Sequence, residues 1–556
     1  MRHAKIGGVL VVASMAGLLA AAPWPAAAEQ PSFRQATFAS QAARVTRLTA
    51  AVQMTKDQPA PVRAFGGPTS MLVDPANPRV IVAATADLRT KECHLVRSTN
   101  AGRTWHFSKA LPAPASYQYC MDNSAGLASS VIAWGRNHTL YYAAQAFGDN
   151  EGGFSVGHVS EFLARSTDLG DHWTSTLVEN NRGTPEPAAA DYGASLAVDT
   201  SGPTDVVYVG YNQHFPAAPK DSPLNNGPVV VAVSTDAGRT FAPAVDLSGF
   251  SHLSQDIGGT AYPLIMEGNF GAPLLFAHDG VVLAVSGAQP PFDKHPGTSN
   301  FGADYTYPMP QLVARSTDRG KTWSVSAMGP PVFNGSGSQT GLGWTPKGGP
   351  RGTYVAAYQA TPAGSASSGP AQIVVQRSTD GGQAWTDPVA VDDDDPGQQW
   401  TSFYPQLSVA PNGRIDAVWQ DDRDQSDYHF NVRYSYSNDG GATWSHNVVV
   451  TDRPVDFNLG VSFNSDLRQP PGVASASQYA VVGWADTRLG SDLTQTQDDF
   501  GAAVQFSPLP ATRNTALPVL AAVFAGLVIA GAVLVVVLLL RRRRAGAAAP
   551  APAAPG

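Results

Sequence analysis

Apolar and β-branched residues gather along this chain in seven short runs. They read VIVAATAD from Val80, LYYAAQAF from Leu140, VVYVGYNQ from Val206, VVLAVSGA from Val281, TYVAAYQA from Thr353, RIDAVWQD from Arg414 and YAVVGWAD from Tyr479. They are too continuously apolar for strands with one wet face, so they predict strands buried on both faces. After each of the first six comes a second strand-like run: HLVRS, EFLARS, VVVAVS, QLVARS, IVVQRS and VRYSYS. Each of these ends in a polar phrase with the consensus S-x-D-x-G-x-x-W, beginning at Ser98, Ser166, Ser234, Ser316, Ser378 and Ser437.

The phrase has a local physical logic. Asp or Asn at its third position can accept backbone N–H groups and close a turn. The following Gly supplies a positive φ, and the closing Trp or Phe anchors the turn. It therefore predicts a hairpin between two antiparallel strands. Repetition at roughly regular intervals, with almost no helix signal between copies, predicts small sheets arranged radially as a β-propeller. Six units are complete. The seventh lacks its phrase and ends in GAAVQF from Gly501, and RVTRLTAAV from Arg44 is placed to supply its missing outer strand. Seven blades are expected, with six and a cap as the alternative.

These phrases resemble the Asp-boxes, or BNR repeats, of the sialidase-like superfamily, over residues 98–444. The resemblance implies a propeller in which the box is a peripheral hairpin away from the ligand. Similar boxes occur in sialidases, other glycosidases, sortilin-like receptors and photosystem assembly factors, so fold alone leaves the chemistry open. Sialidases use a Tyr nucleophile with a Glu beside it, an Asp acid/base and an arginine triad. Their F/Y-R-I-P motif is missing here; PVRAFGGP holds Arg63 without the flanking residues, and no catalytic residue is carried over. Glu267, with Tyr262, Tyr305 and Tyr307, is the nearest approach to a Tyr–Glu pair, and matches no family motif.

Aligning the buried runs brings out one recurrent motif. A D-x-R follows the strand end in the first, sixth and seventh units: Asp87 and Arg89, Asp421 and Arg423, Asp486 and Arg488. In a closed ring of seven these units are neighbours, so three Arg and three Asp would share one arc. Arg matches carboxylates bidentately, which suits an acidic sugar or another anion. The alternative is that each Asp pairs with its own or a neighbouring Arg and ties blades together. Trp419 and Trp484, two residues before the Asp, are sugar platforms in the first case and packing partners in the second.

The termini place the chain. Residues 1–28 read as a secretory signal peptide, with Arg2, His3 and Lys5 before an apolar core and PAAA before the cut. Residues 29–60 form an N-terminal segment, 61–507 the propeller and 508–516 a linker. Residues 517–540 would span about 36 Å as a helix, enough to cross a bilayer. The basic Arg541–Arg544 opens an Ala/Pro-rich cytoplasmic tail, 541–556. A cell-membrane protein with one anchor and an extracellular N-terminal domain is expected. In that setting the two cysteines, Cys93 and Cys120, are expected to form a disulfide.

Charge narrows the partners. The net charge is −8 although the Arg cluster lies inside, so the ectodomain is acidic and nucleic acid is excluded as a partner. No cofactor or metal is expected: the His show no metal-ligand spacing, and DDDD at Asp392–Asp395 reads as a solvated loop, with Ca²⁺ coordination as the alternative. Three functions fit: a surface propeller binding extracellular glycan or another anionic ligand, a sialidase-like glycosidase with a divergent site, or an envelope scaffold binding protein. The sequence leaves the oligomeric state open.

Overall fold

In a computed structural model the chain is a seven-bladed β-propeller. The structure describes residues 33–39, 43–57, 64–114, 117, 120, 131–147, 159–181, 190–214, 227–257, 259–266, 273–289, 307–334, 341–363, 370–394, 401–423, 429–460, 470–508 and 534–543. Each blade is an antiparallel sheet numbered here from the axis outward. Blade 1 holds Ser70–Val73, Ile81–Asp87, Glu92–Ser98 and His106–Phe107; blade 2 begins at Val131–Trp134 and blade 3 at Ala190–Asp199. The innermost strands of blades 4 to 7 are Leu274–His278, Gly341–Thr345, Ser402–Val409 and Gly472–Ser475. These innermost strands abut in sequence order, and Gly472–Ser475 lies against Ser70–Val73 to close the ring.

The seven apolar runs are the second strands. They are continuously apolar because each face packs on a different blade. In blade 1, Val82 and Ala84 join a core with Leu140 and Tyr142 of blade 2. Ile81 and Ala83 join a core with Ala474 and Val481 of blade 7. The same division recurs around the ring, so the apolar core is a set of walls between blades.

The phrases form the joints between those walls. Ser Oγ donates to the Asp or Asn Oδ1 and accepts the glycine N–H, as in Ser316 with Asp318 (2.8 Å) and Gly320 (2.9 Å). The residue before the glycine and the glycine itself both have positive φ, 58° at Leu169 and 87° at Gly170. A Cβ at Gly170 would lie 2.8 Å from Leu95 of blade 1, and one at Gly382 2.8 Å from Leu283 of blade 4. Gly102 packs on Val481 of blade 7 across the closure. In four blades the Arg just before the phrase reaches the next blade's turn: Arg97 to Leu169 O (3.3 Å), Arg165 to Ala237 O (3.3 Å), Arg315 to Gly381 O (2.7 Å) and Arg377 to Gly440 O (3.5 Å).

Blade 7 has no phrase, and two devices take its place. Its third strand, Asp498–Pro508, pairs antiparallel with Ala43–Leu48, so the N-terminal segment supplies the outer strand. Arg414 of blade 6, fully buried with Asp416, reaches the carbonyls of Ala476 (2.9 Å), Ser477 (3.1 Å) and Tyr479 (3.2 Å) and lies 3.9 Å over the Phe506 ring. Before closing blade 7 the same N-terminal segment adds Arg34–Gln35 in parallel to blade 5 and Thr37–Phe38 to the blade 6 turn, which the sequence did not reveal.

Cys93 and Cys120 form the expected disulfide, with Cα atoms 5.6 Å apart. The predicted signal peptide lies outside the described residues. Of the expected span 517–540, residues 534–540 are described and belong to a helical segment, 534–543; the rest lies outside. No helix among the described residues is long and apolar enough to cross a membrane.

Gly280 separates the two roles of the joint glycine: its φ is +77°, yet an added Cβ would meet nothing within 4 Å. Gly280→Ala should lose about 1–2 kcal/mol through backbone strain alone. Gly170→Ala should lose about 1–3 kcal/mol more, because Leu95 must move. Denaturant unfolding of the two variants checks this; equal losses would mean that the joint tolerates a methyl group.

Candidate functional site

Each D-x-R closes on itself. Asp87, Asp421 and Asp486 are the last residues of their second strands. Each Oδ1 accepts the backbone N–H of the Arg two residues on, at 3.0, 3.1 and 2.8 Å. The guanidinium then folds back onto the same carboxylate, Nη2 to Oδ2, at 2.7, 2.8 and 2.7 Å. The spacing that looked like a recognition motif is thus a turn with a built-in ion pair.

Two of these pairs also join blades. Arg423 contacts Asp393 (2.8 Å), Asp394 and Asn447 (3.2 Å). Asp421 also accepts from Arg433 (3.1 Å) and Ser402 (2.8 Å). Burial pushes Asp421 up, but the hydrogen bonds and charge of Arg423, with Arg433, hold it below the ordinary carboxylate range. Arg488 reaches Asp452 (2.8 Å) and lies 4.3 Å over the Phe500 ring. Arg89 is the most exposed of the three, at 30% of its side chain against 12% and 8%.

Burial bears on the alternatives left open for the tryptophans and for the acidic run. Trp419 and Trp484 are fully buried, in the 5–6 and 6–7 walls, so neither offers a ring to a sugar. The described part of the acidic run, Asp392 to Asp394, is not a solvated loop: Asp392 is fully buried, and Asp394 is drawn in by Arg423. Burial and the neighbouring Asp421 push Asp394 up to about 7, and burial with Asp394 pushes Asp392 well above the ordinary range. Among the described residues no group of three or more His, Cys, Asp or Glu could hold a metal, and Asp395 lies outside them.

Tyr262 is half-buried and Tyr307 exposed; Arg63, Glu267, Tyr305 and Asp395 lie outside the described residues. So do residues 148–158, 215–226 and 290–306, which link second to third strands in the sequence.

The opposite face, which carries the S-x-D turns, holds a cavity of about 480 Å³ between blades 2 and 3. Three arginines line it: Arg136, Arg165 and Arg239. Their partners are backbone carbonyls. Arg136 donates to Thr200 O and Gly202 O, both at 2.8 Å, Arg165 to Ala237 O and Arg239 to Asp236 O (2.8 Å). Arg165 Nε is buried with no acceptor among the described residues.

The two carboxylates in the lining are already engaged. Asp205 accepts Tyr141 Oη (2.9 Å) and Arg136 N; Asp168 accepts Ser166 Oγ and the ring and backbone nitrogens of His172. The His172 hydrogen bonds hold Asp168 down at about 2. Burial and Asp205 push Tyr141 above the ordinary phenol range, so it stays a neutral donor. No motif in the sequence marks this cavity. Its signal was the Arg before the phrase at Ser166 and the Arg inside the phrase at Ser234.

No protein-family model matches the chain, and no curated protein does. Among solved structures it is similar to a protein of unknown function from Dyadobacter fermentans, at 17% identity and TM-score 0.40 over 68% of this chain and 94% of that one. It is also similar to an α-L-arabinanase of Penicillium chrysogenum complexed with arabinobiose, at 14% and 0.39 over 67% and 94%. Trypanosoma rangeli sialidase in complex with sialic acid gives 11% and 0.38 over 68% of this chain and 54% of that one. Likeness at this level fixes neither substrate nor mechanism.

Two outcomes follow from the buried charges. Arg423→Ala should destabilise the fold by about 3–5 kcal/mol, because it strands buried carboxylates; calorimetric unfolding showing a loss below about 1 kcal/mol would contradict this. Asp499 is fully buried, and burial and Asp498 push it up to about 7. Between the unfolded value near 4 and about 7 the folded state alone keeps this proton, so stability from Asp499 falls as pH rises through that window. Asp499→Asn should flatten the decline in unfolding temperature between pH 4.5 and 7.5; an unchanged slope would remove Asp499 as its source.

Proposed function

We propose that this protein is a cell-surface, membrane-anchored propeller that binds an extracellular glycan or another anionic ligand without turning it over. The supporting observation is a contrast between two sets of arginines. Those of the D-x-R arc are neutralised by their own Asp, which leaves that arc a role in fastening blades. Those of the cavity rest on neutral carbonyls and keep their charge available in a concave site. Guanidiniums of this kind, exposed at Arg136 and Arg239 and half-buried at Arg165, are suited to carboxylate, sulfate or phosphate.

The anchoring half of the reading is supported by the signal-like residues 1–28 and the apolar residues 517–540 followed by four arginines. The third strand of blade 7 runs toward the face of the S-x-D turns, since Tyr479 pairs with Gln505 at the level where Ile81 pairs with Ser98. The chain therefore leaves the propeller on the cavity's side. An anchor there would turn that face to the membrane and the acid-rich D-x-R face to the exterior.

The full-length protein in neutral detergent tests the binding half, by calorimetric titration with charged and neutral saccharides beside a panel of fluorogenic glycosides. Acidic saccharides should bind at least tenfold more tightly than their neutral counterparts, with no glycoside cleaved. Turnover of any glycoside, or equal affinity for neutral sugars, would sink this reading.

A further inference from the structure

We propose that the cavity between blades 2 and 3 takes a polyol phosphate, such as a glycerol or inositol phosphate, either free or as a lipid headgroup. The inference rests on the reading that this protein binds an anion and narrows it to one chemistry and one site. Three guanidiniums face two carboxylates in the lining, and both carboxylates already accept hydrogen bonds from the protein. A planar carboxylate accepts hydrogen bonds close to one plane, whereas a tetrahedral phosphate presents oxygens in several directions and suits cations that come from three sides. Arg136, Arg165 and Arg239 come from three separate segments, the first turn of blade 2, its third strand and the S-x-D turn of blade 3.

Most of the rest of the lining is neutral and polar, with Pro203 and Ala237 apolar and His172 paired with Asp168. Asn137, Thr139, Thr167, Thr174 and Thr204 ring the cations with amide and hydroxyl groups, which match the hydroxyls of a polyol better than an acyl chain. A volume of about 480 Å³ admits a phosphorylated six-carbon polyol. The chain's exit on this same face adds the source: if residues 517–540 anchor the protein, the cavity opens toward the layer where polyol phosphates are held as lipid headgroups.

Isothermal titration of the full-length protein in neutral detergent tests this. Ligands are glycerol 1-phosphate, inositol 1-phosphate, inorganic phosphate, free inositol, glucuronate, and the short-chain dihexanoyl forms of phosphatidylglycerol and phosphatidylcholine. The polyol phosphates should bind at least tenfold more tightly than inorganic phosphate or glucuronate, and free inositol should not bind. Arg136→Gln and Arg239→Gln should each weaken binding about tenfold. Arg103→Gln, an exposed arginine on the same face outside the lining, should leave it unchanged and controls for general charge. Tighter binding of dihexanoyl phosphatidylglycerol than of glycerol 1-phosphate would identify the headgroup as the source, and the reverse order a free ligand. Unchanged affinity in both cavity variants, with folding verified by unfolding midpoints, would overturn the proposal. Glucuronate binding as tightly as the phosphates would overturn it while sparing the broader anion-binding reading, whereas silence toward every anion would end both.

Discussion

The fold depends on how closely one blade can approach the next. A propeller has no single core; its stability comes from walls that each blade shares with two neighbours, and those walls need the backbone of one turn to touch the side chains of the blade before it. The S-x-D-x-G-x-x-W phrase meets that need. Its Ser and Asp hold the turn, its glycine supplies a positive φ and room for Leu95, Leu283 or Val481, and its aromatic residue seals the edge. The Arg before the phrase then latches forward onto the following turn in four of the six copies. Contacts therefore run both ways around the ring from one short segment. At the one boundary without a phrase in the later blade, Arg414 carries the latch from inside the wall.

Much of this architecture is legible in the sequence because it repeats. The continuous burial of runs such as Ile81–Asp87 follows from strands with apolar neighbours on both faces, and hydrophobic pattern reports that directly. The closing strand was legible too, as a β-rich segment near Arg44 that fits a blade lacking its edge. Arg34–Gln35 and Thr37–Phe38 were not, because two-residue parallel pairings carry no periodicity to read.

The site was harder to read, and for a reason visible in the D-x-R motif. Sequence shows which residue types recur, but not whether a guanidinium points outward or folds back two residues onto its own Asp. Asp421 and Arg423 look the same in either case; only geometry shows the carboxylate already occupied. Trp419 is a similar case, since a large aromatic at a strand end suits a sugar platform and a wall equally until its burial is known. The cavity arginines escaped notice for the opposite reason. Arg136, Arg165 and Arg239 share no motif, and only the ring brings their turns together.

The charge distribution joins these threads. Where arginines meet carboxylates, as at Arg423, the protein gains fastening between blades; where, among the described residues, they meet carbonyls, as at Arg165 and Arg239, it retains positive potential on an acidic molecule. The central claim is that the second set, not the first, is the anion site. Its most direct test is a crystal of the protein soaked in tungstate, a tetrahedral oxoanion whose anomalous scattering locates it without ambiguity. The account predicts a peak bounded by Arg136, Arg165 and Arg239. A peak at Arg89, Arg423 or Arg488, with none in the cavity, would contradict it.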